Sequence, residues 1–134
     1  MIVVDTSAWI EHLRSTGSLV QHTLRRLLES GEEVAVTEVV VMEVQAGARS
    51  ELELRRIRRT ILGFPVLSLN GVESFEAAAA LFQTCRRAGD TIRKLTDCLV
   101  AVPTIEADAT LLQADRDFEI LARHTPLRLE PLAA

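Results

Sequence analysis

Short apolar runs alternate with segments of helical period along the whole chain, and this alternation restricts the fold more than any other feature. Runs at residues 2–4, 33–36, 66–69, 110–112 and 127–129 predict five strands. Between them apolar residues recur at helical spacing, as in Trp9, Ile10 and Leu13, and in Val20, Leu24, Leu27 and Leu28. Further helices are predicted over 37–46, 50–62, 72–88, 96–106 and 115–124, with Gly47, Gly63 and Gly89 closing three of them. Val39, Val40 and Val41 fit a strand as well by propensity. Pro103, inside the 96–106 helix, should cost about 3 kcal/mol or force a kink. Strand–helix alternation of this kind predicts an α/β sandwich whose short central sheet is mainly parallel and is flanked by helices.

Composition narrows the class further. A chain of 134 residues is expected to form one domain, residues 1–134. With 48% hydrophobic and 25% charged residues it is not a disordered chain. The longest uncharged apolar run, residues 98–105, is too short to cross a bilayer and contains Pro103. The first five residues lack the basic segment of a secretory signal, so a cytoplasmic location is expected. Cys85 and Cys98 fit no metal-ligand spacing and read as buried thiols. The formal net charge of −4 argues against a protein that coats nucleic acid nonspecifically. It leaves room for an enzyme whose carboxylates gather in one place.

The acids fall where a parallel sheet would gather them. In such sheets the functional crevice lies at the carboxyl ends of the strands. Asp5 directly follows the first strand, Asp115 follows the 110–112 strand after Gln113 and Ala114, and Asp117 lies two residues on. Glu43 sits in the helix after the second strand amid Val40, Val41, Met42, Val44 and Ala46, and a carboxylate in so apolar a setting is costly unless neutralised. Asp97 begins an otherwise apolar helix. Any one of these acids alone reads as a helix cap or a half-exposed edge residue. Together, converging carboxylates stay ionised at pH 7 only if cations bind them. An all-oxygen set suits Mg²⁺ or Mn²⁺ rather than zinc. Such ions can lower the pKa of water and clamp the oxygens of an in-line phosphoryl displacement.

Four segments carry a resemblance: Val3-Val4-Asp5-Thr6-Ser7-Ala8-Trp9-Ile10, Met42-Glu43 with Gly47 four residues on, Thr96-Asp97, and Ala114-Asp115-Arg116-Asp117-Phe118. In this order and spacing the chain resembles the PIN-domain ribonucleases, and more narrowly the VapC-type toxins of type II toxin–antitoxin systems. The resemblance implies a PIN-like sandwich and an Mg²⁺- or Mn²⁺-dependent endoribonuclease acting on transfer RNA or other translational RNA. It matches Asp5, Glu43, Asp97 and Asp115 to the family's acidic quartet and Asp117 to its auxiliary acid. Asp5 is then expected at a central bridging position sharing its ion with Asp97, with Asp115 and Asp117 in an outer or weaker second site. A small VapB-type antitoxin, a homodimer, a heterotetramer or larger complex, and products ending in a 5′-phosphate and a 3′-hydroxyl are implied as well. The chain departs from the family at Pro103, where a helix former is usual, and at Asp108, where glycine or asparagine commonly ends the helix.

Other residues keep two readings at this stage. Thr6 and Ser7 either orient an acid or touch the scissile phosphate, or else cap a helix. Arg116 either meets RNA phosphate or balances local charge. Arg86, Arg87, Arg93 and Lys94, a basic stretch before Asp97, are suited to guiding a polyanion towards the acids. Five arginines against two glutamates between residues 49 and 59 form a solvated face, or grip RNA phosphates or acidic antitoxin residues. Trp9 and Phe82 read as core, and His12, His22 and His124 as surface or capping residues.

Rival classes fit less well. A haloacid-dehalogenase-type phosphohydrolase needs a second Asp where Ser7 stands, and a response-regulator receiver needs an Asp after the third strand, where Asn70-Gly71 follows. A catalytically silent PIN-type binding module has no reason to keep every costly acid.

Overall fold

The computed structural model describes residues 1–133. Five strands, β1 (Ile2–Val4), β2 (Val34–Thr37), β3 (Val66–Leu67), β4 (Thr110–Leu112) and β5 (Arg128–Leu129), form one sheet in the order β3-β2-β1-β4-β5. Every pairing is parallel, with Ile2 opposite both Val34 and Thr110. Every residue of β1 and β2 is buried, which is why both read as unbroken apolar runs rather than alternating ones. The edge strands β3 and β5 have two residues each and are partly exposed.

Seven helices surround the sheet among the described residues: α1 (Thr6–Leu13), α2 (Leu19–Glu29), α3 (Glu38–Ala46), α4 (Glu51–Ile61), α5 (Gly71–Arg87), α6 (Leu95–Glu106) and α7 (Arg116–His124). Packing of α1 on α2 and α3, and of α6 on α5, α7 and β4, closes one contiguous core around Trp9, Phe118, Leu24, Ile61, Leu111 and Leu112. Trp9 is fully buried as expected, Phe82 only partly, and both cysteines are buried thiols.

Local chemistry explains where the elements begin and end. The valine run of α3 takes the helical form because the Thr37 hydroxyl accepts from the Val40 N–H at 3.3 Å and caps the turn. β3 stops at Leu67 because the Leu69 N–H donates to Glu38 Oε1 at 2.6 Å, outside the ladder. Helix α6 runs through Pro103, which is buried, to Glu106. There the Thr104 hydroxyl donates to the Val100 carbonyl at 2.9 Å. Asp108, at φ +52°, takes the left-handed turn after that helix, and Gly89, at φ +93°, does the same after α5.

The strand order has one functional consequence. The chain winds outward from β1 through β2 to β3, then returns to the other side of β1 for β4 and β5. The switch therefore lies between β1 and β4, where a doubly wound sheet leaves its crevice.

Candidate metal centre

Asp5 and Asp115 stand on either side of this switch. The Asp5 N–H donates to the Leu112 carbonyl at 2.9 Å, pinning the end of β1 to the end of β4. Asp5 caps α1: its Oδ2 accepts from the Ser7 N–H at 2.9 Å and from the Ser7 hydroxyl at 2.6 Å. The capping residue is thus Asp5, not Thr6 or Ser7, because its extended backbone leaves its carboxylate facing the first free N–H groups. Ser7 Oγ also accepts from the Ala114 N–H at 2.9 Å, tying α1 to the loop that carries Asp115. Thr6 donates its hydroxyl to Glu43 Oε1 at 2.8 Å, so both hydroxyls hold acids.

The second flank is built from α6 and α7. Asp97, Asp115 and Asp117 each place a carboxylate oxygen so that all three lie within 4.8 Å of one another. Asp117, fully buried, accepts from the backbone N–H groups of Lys94 at 2.9 Å and Arg93 at 3.2 Å. Asp115 caps α7 by accepting from the Asp117 N–H at 3.0 Å. The tightest acidic group among the described residues is Asp97, Asp115 and Asp117, so Asp115 and Asp117, which the sequence reading assigns to an outer or weaker second site, lie directly beside Asp97.

Electrostatics link the flanks. Burial, followed by the charges of Asp5, Asp115 and Asp117 against the opposing pull of Lys94, pushes the Asp97 carboxyl up to about 8. Burial also raises Asp5, against the hydrogen bonds from Ser7, with Glu43 adding to the rise. Asp5 thus feels Glu43 on one side and Asp97 on the other. Asp115 goes the opposite way. Burial would raise it, but the Lys94 hydrogen bond, the Asp117 N–H and the charges of Lys94 and Arg93 bring it below the ordinary value.

Buried oxygens without hydrogen-bond partners among the described residues remain at Asp5 Oδ1, Asp97 Oδ2 and Asp117 Oδ1. Buried acceptors of this kind are costly unless a cation meets them. Carboxylate oxygens alone, with no His or Cys among them, fit a hard divalent ion such as Mg²⁺ or Mn²⁺.

Of the basic residues, Arg93 and Lys94 reach the acids. Arg93 Nε lies 3.7 Å from Asp117 Oδ1, and Lys94 Nζ lies 2.6 Å from Asp115 Oδ2. Exposed Arg116 shares a hollow with Arg93, Asp117, Asp90 and Thr91. Arg86 and Arg87 stay at the exposed end of α5 and form no ion pair among the described residues. On the Glu43 side a cleft of about 370 Å³ opens between α1, α3 and α4. Arg49 and Arg56 of the basic stretch line it, joined by Arg14. Arg14 went unnoticed in the sequence because it is isolated among polar residues at the end of α1, and only the packing of α1 beside α3 brings it there. His124 meets Asp90 at 2.7 Å, and His12 packs edge-on against Trp9.

Comparison with known proteins gives consistent matches. The PIN domain family model matches residues 2–124. The chain is 39% identical over 129 residues to Ribonuclease VapC11 of Mycobacterium tuberculosis, covering 96% of each chain. It has the same identity and coverage with VapC ribonuclease Mb1587 of Mycobacterium bovis. Among solved structures, the fold is similar to VapBC2 from Rickettsia felis bound to a promoter DNA fragment, with a TM-score of 0.74 at 19% identity, covering 97% of this chain and 98% of that one.

Proposed function

The chain belongs to the PIN-domain family, and from that membership we propose that it is a divalent-metal-dependent endoribonuclease, the toxin of a toxin–antitoxin pair. The observation that carries the metal dependence is the gathering of Asp97, Asp115 and Asp117 oxygens within 4.8 Å of one another, with buried oxygens of Asp5, Asp97 and Asp117 that accept no hydrogen bond among the described residues. We read residues 1–134 as a single PIN domain acting in the cytoplasm. Among the described residues, no helix is long and apolar enough to cross a membrane.

Asp97, Asp115 and Asp117, with Asp5 beside them, would hold Mg²⁺ or Mn²⁺, and Glu43 would complete the group from α3. Bound there, such an ion supplies a hard Lewis acid that makes water more acidic and offsets charge on a phosphate. The protein's own residues do the positioning. Ser7 and Thr6 fix Asp5 and Glu43 by donated hydrogen bonds, so neither acid has to reorganise when charge develops. Arg93 and Arg116 line the groove beside Asp117, and Arg14, Arg49 and Arg56 line the cleft beside Glu43. This leaves a basic lip on each side of the acids, suited to the backbone phosphates of a strand lying across them. Arg86 and Arg87 serve at most as outlying steering charges.

The partners proposed are an RNA substrate of the translational class, transfer RNA first, a VapB-type antitoxin, and a second copy of the chain. Ribonuclease relatives at 39% identity and likeness to VapBC complexes support this reading. The test is cleavage of purified transfer RNA in titrated MgCl₂ or MnCl₂, with and without the co-expressed antitoxin. Cleavage that stops with EDTA, leaves 5′-phosphate and 3′-hydroxyl ends and is suppressed by the antitoxin is expected. Equal cleavage in EDTA would refute the metal dependence.

A further inference from the structure

We propose that Lys94 is an internal competitor for the divalent cation: its ammonium holds Asp115 and Asp97 until an ion displaces it, so this one side chain sets the site's cation affinity. The proposal rests on the metal-dependent reading above and adds to it the device that regulates loading.

The geometry is direct. Lys94 Nζ lies 2.6 Å from Asp115 Oδ2 and 3.9 Å from Asp97 Oδ2. These are two of the three carboxylates that bring an oxygen each within 4.8 Å of one another. A magnesium ion takes its oxygens at about 2.0–2.1 Å in near-octahedral order. Lys94 and a divalent ion would draw on the same carboxylate oxygens, and two cations at such close quarters repel. The ion therefore gains most when the ammonium swings away.

Lys94 is made to be the one that leaves. Its backbone is fixed, because its N–H donates to Asp117 Oδ2 at 2.9 Å and the residue forms the N-terminal boundary of α6. Its side chain is not fixed: it is 54% exposed, whereas the Asp97 side chain is 3% exposed. A lysine is a strongly hydrated point charge on a flexible stem, and water takes it back readily, without the loss of a two-pronged contact that an arginine would suffer. While in place it keeps three crowded carboxylates tolerable. Once displaced it yields the same oxygens to the ion. Neighbouring Arg93, at 3.7 Å from Asp117, forms no ion pair with Asp115 or Asp97 among the described residues.

Lys94 is the only lysine in the chain, so its displacement can be watched without assignment. In RNA-free protein labelled with ¹⁵N-lysine, the single Nζ resonance should shift as MgCl₂ is added and saturate with cation binding. In parallel, calorimetric titration with MnCl₂ should show K94M binding on the order of tenfold tighter than wild type, and K94R binding more weakly than wild type, because a guanidinium gives up a two-pronged carboxylate contact less readily. A merely structural role for Lys94 predicts the reverse, a looser site and weaker binding in K94M. An Nζ resonance unmoved at saturating MgCl₂, or a K94M affinity no higher than wild type, overturns the proposal. The two readings fail differently. If wild type binds Mn²⁺, D97N does not, and K94M matches wild type, only the competition falls. If neither wild type nor K94M binds Mn²⁺, the metal-dependent reading falls and takes the competition with it.

Discussion

The acidic groove has two flanks, and they hold their carboxylates by opposite means. On the β1–α3 flank, Asp5 and Glu43 are held by neutral hydroxyls, Ser7 and Thr6, at 2.6 and 2.8 Å. On the α6–α7 flank, Asp97, Asp115 and Asp117 are held by the charged side chains of Lys94 and Arg93 and by backbone N–H groups. A hydroxyl orients an anion without cancelling its charge, so the first flank is ready for a cation at all times. A cation offsets part of the charge, so the second flank is less strained when unloaded, although Asp97 is still raised, and the cation has to be cleared. The difference teaches that preorganisation and charge compensation are separate jobs, assigned here to different elements.

The largest effect should come from removing acids across both flanks. Asp5→Asn and Asp97→Asn are each expected to lower RNA cleavage at least about a thousandfold, on the order of 4 kcal/mol in the barrier, with the fold retained by circular dichroism. If one flank tolerated its substitution, the two would not act as one site.

Next comes stability without metal. The Asp97 carboxyl is raised to about 8 in the folded protein from an ordinary value of 3.8, so folding favours its protonated form. Its contribution is present below pH 4 and is lost as pH rises through about 8. In EDTA, wild-type protein should therefore lose stability between about pH 4 and pH 8, while Asp97→Asn stays flatter. At pH 8 the variant should be the more stable of the two in denaturant melts. Matching pH profiles for the two proteins would show that Lys94 fully compensates the charge.

A smaller effect isolates the hydroxyl-held flank. Thr6→Val frees Glu43 and should cost about tenfold in cleavage, while Thr6→Ser restores most of it. An unchanged rate in Thr6→Val would mean that Glu43 needs no orienting partner. The smallest effect belongs to Arg86 and Arg87, outside both flanks. Replacing both by Gln should reduce kcat/KM only about twofold at low salt, with a shallower salt dependence. Arg116→Gln, inside the groove, should cost more than that pair in the same assay.

Much of this site could be read from spacing. Acids placed directly after buried apolar runs identify themselves once the sheet is parallel, because every such strand ends on the same edge. That logic found Asp5 and Asp115, and Glu43 followed from the cost of a carboxylate among valines. It could not rank the acids. Asp117 belongs to the tightest group because residues 93 and 94 turn their N–H groups towards it across more than twenty positions of sequence. Lys94 looked like one more steering charge beside Arg86 and Arg87, yet it alone of the three touches an acid.

Local grammar by itself determined the elements, their order and which acids follow the strands, since strand burial, helical period and capping are set by neighbours along the chain. Which oxygen faces which, which acid is raised and which lowered, and where Arg14 and Lys94 end up were decided only in three dimensions. The physical reason is range. Propensity acts over a few residues, whereas desolvation and Coulomb forces act between whichever groups the sheet's reversal between β1 and β4 happens to bring within a few ångströms.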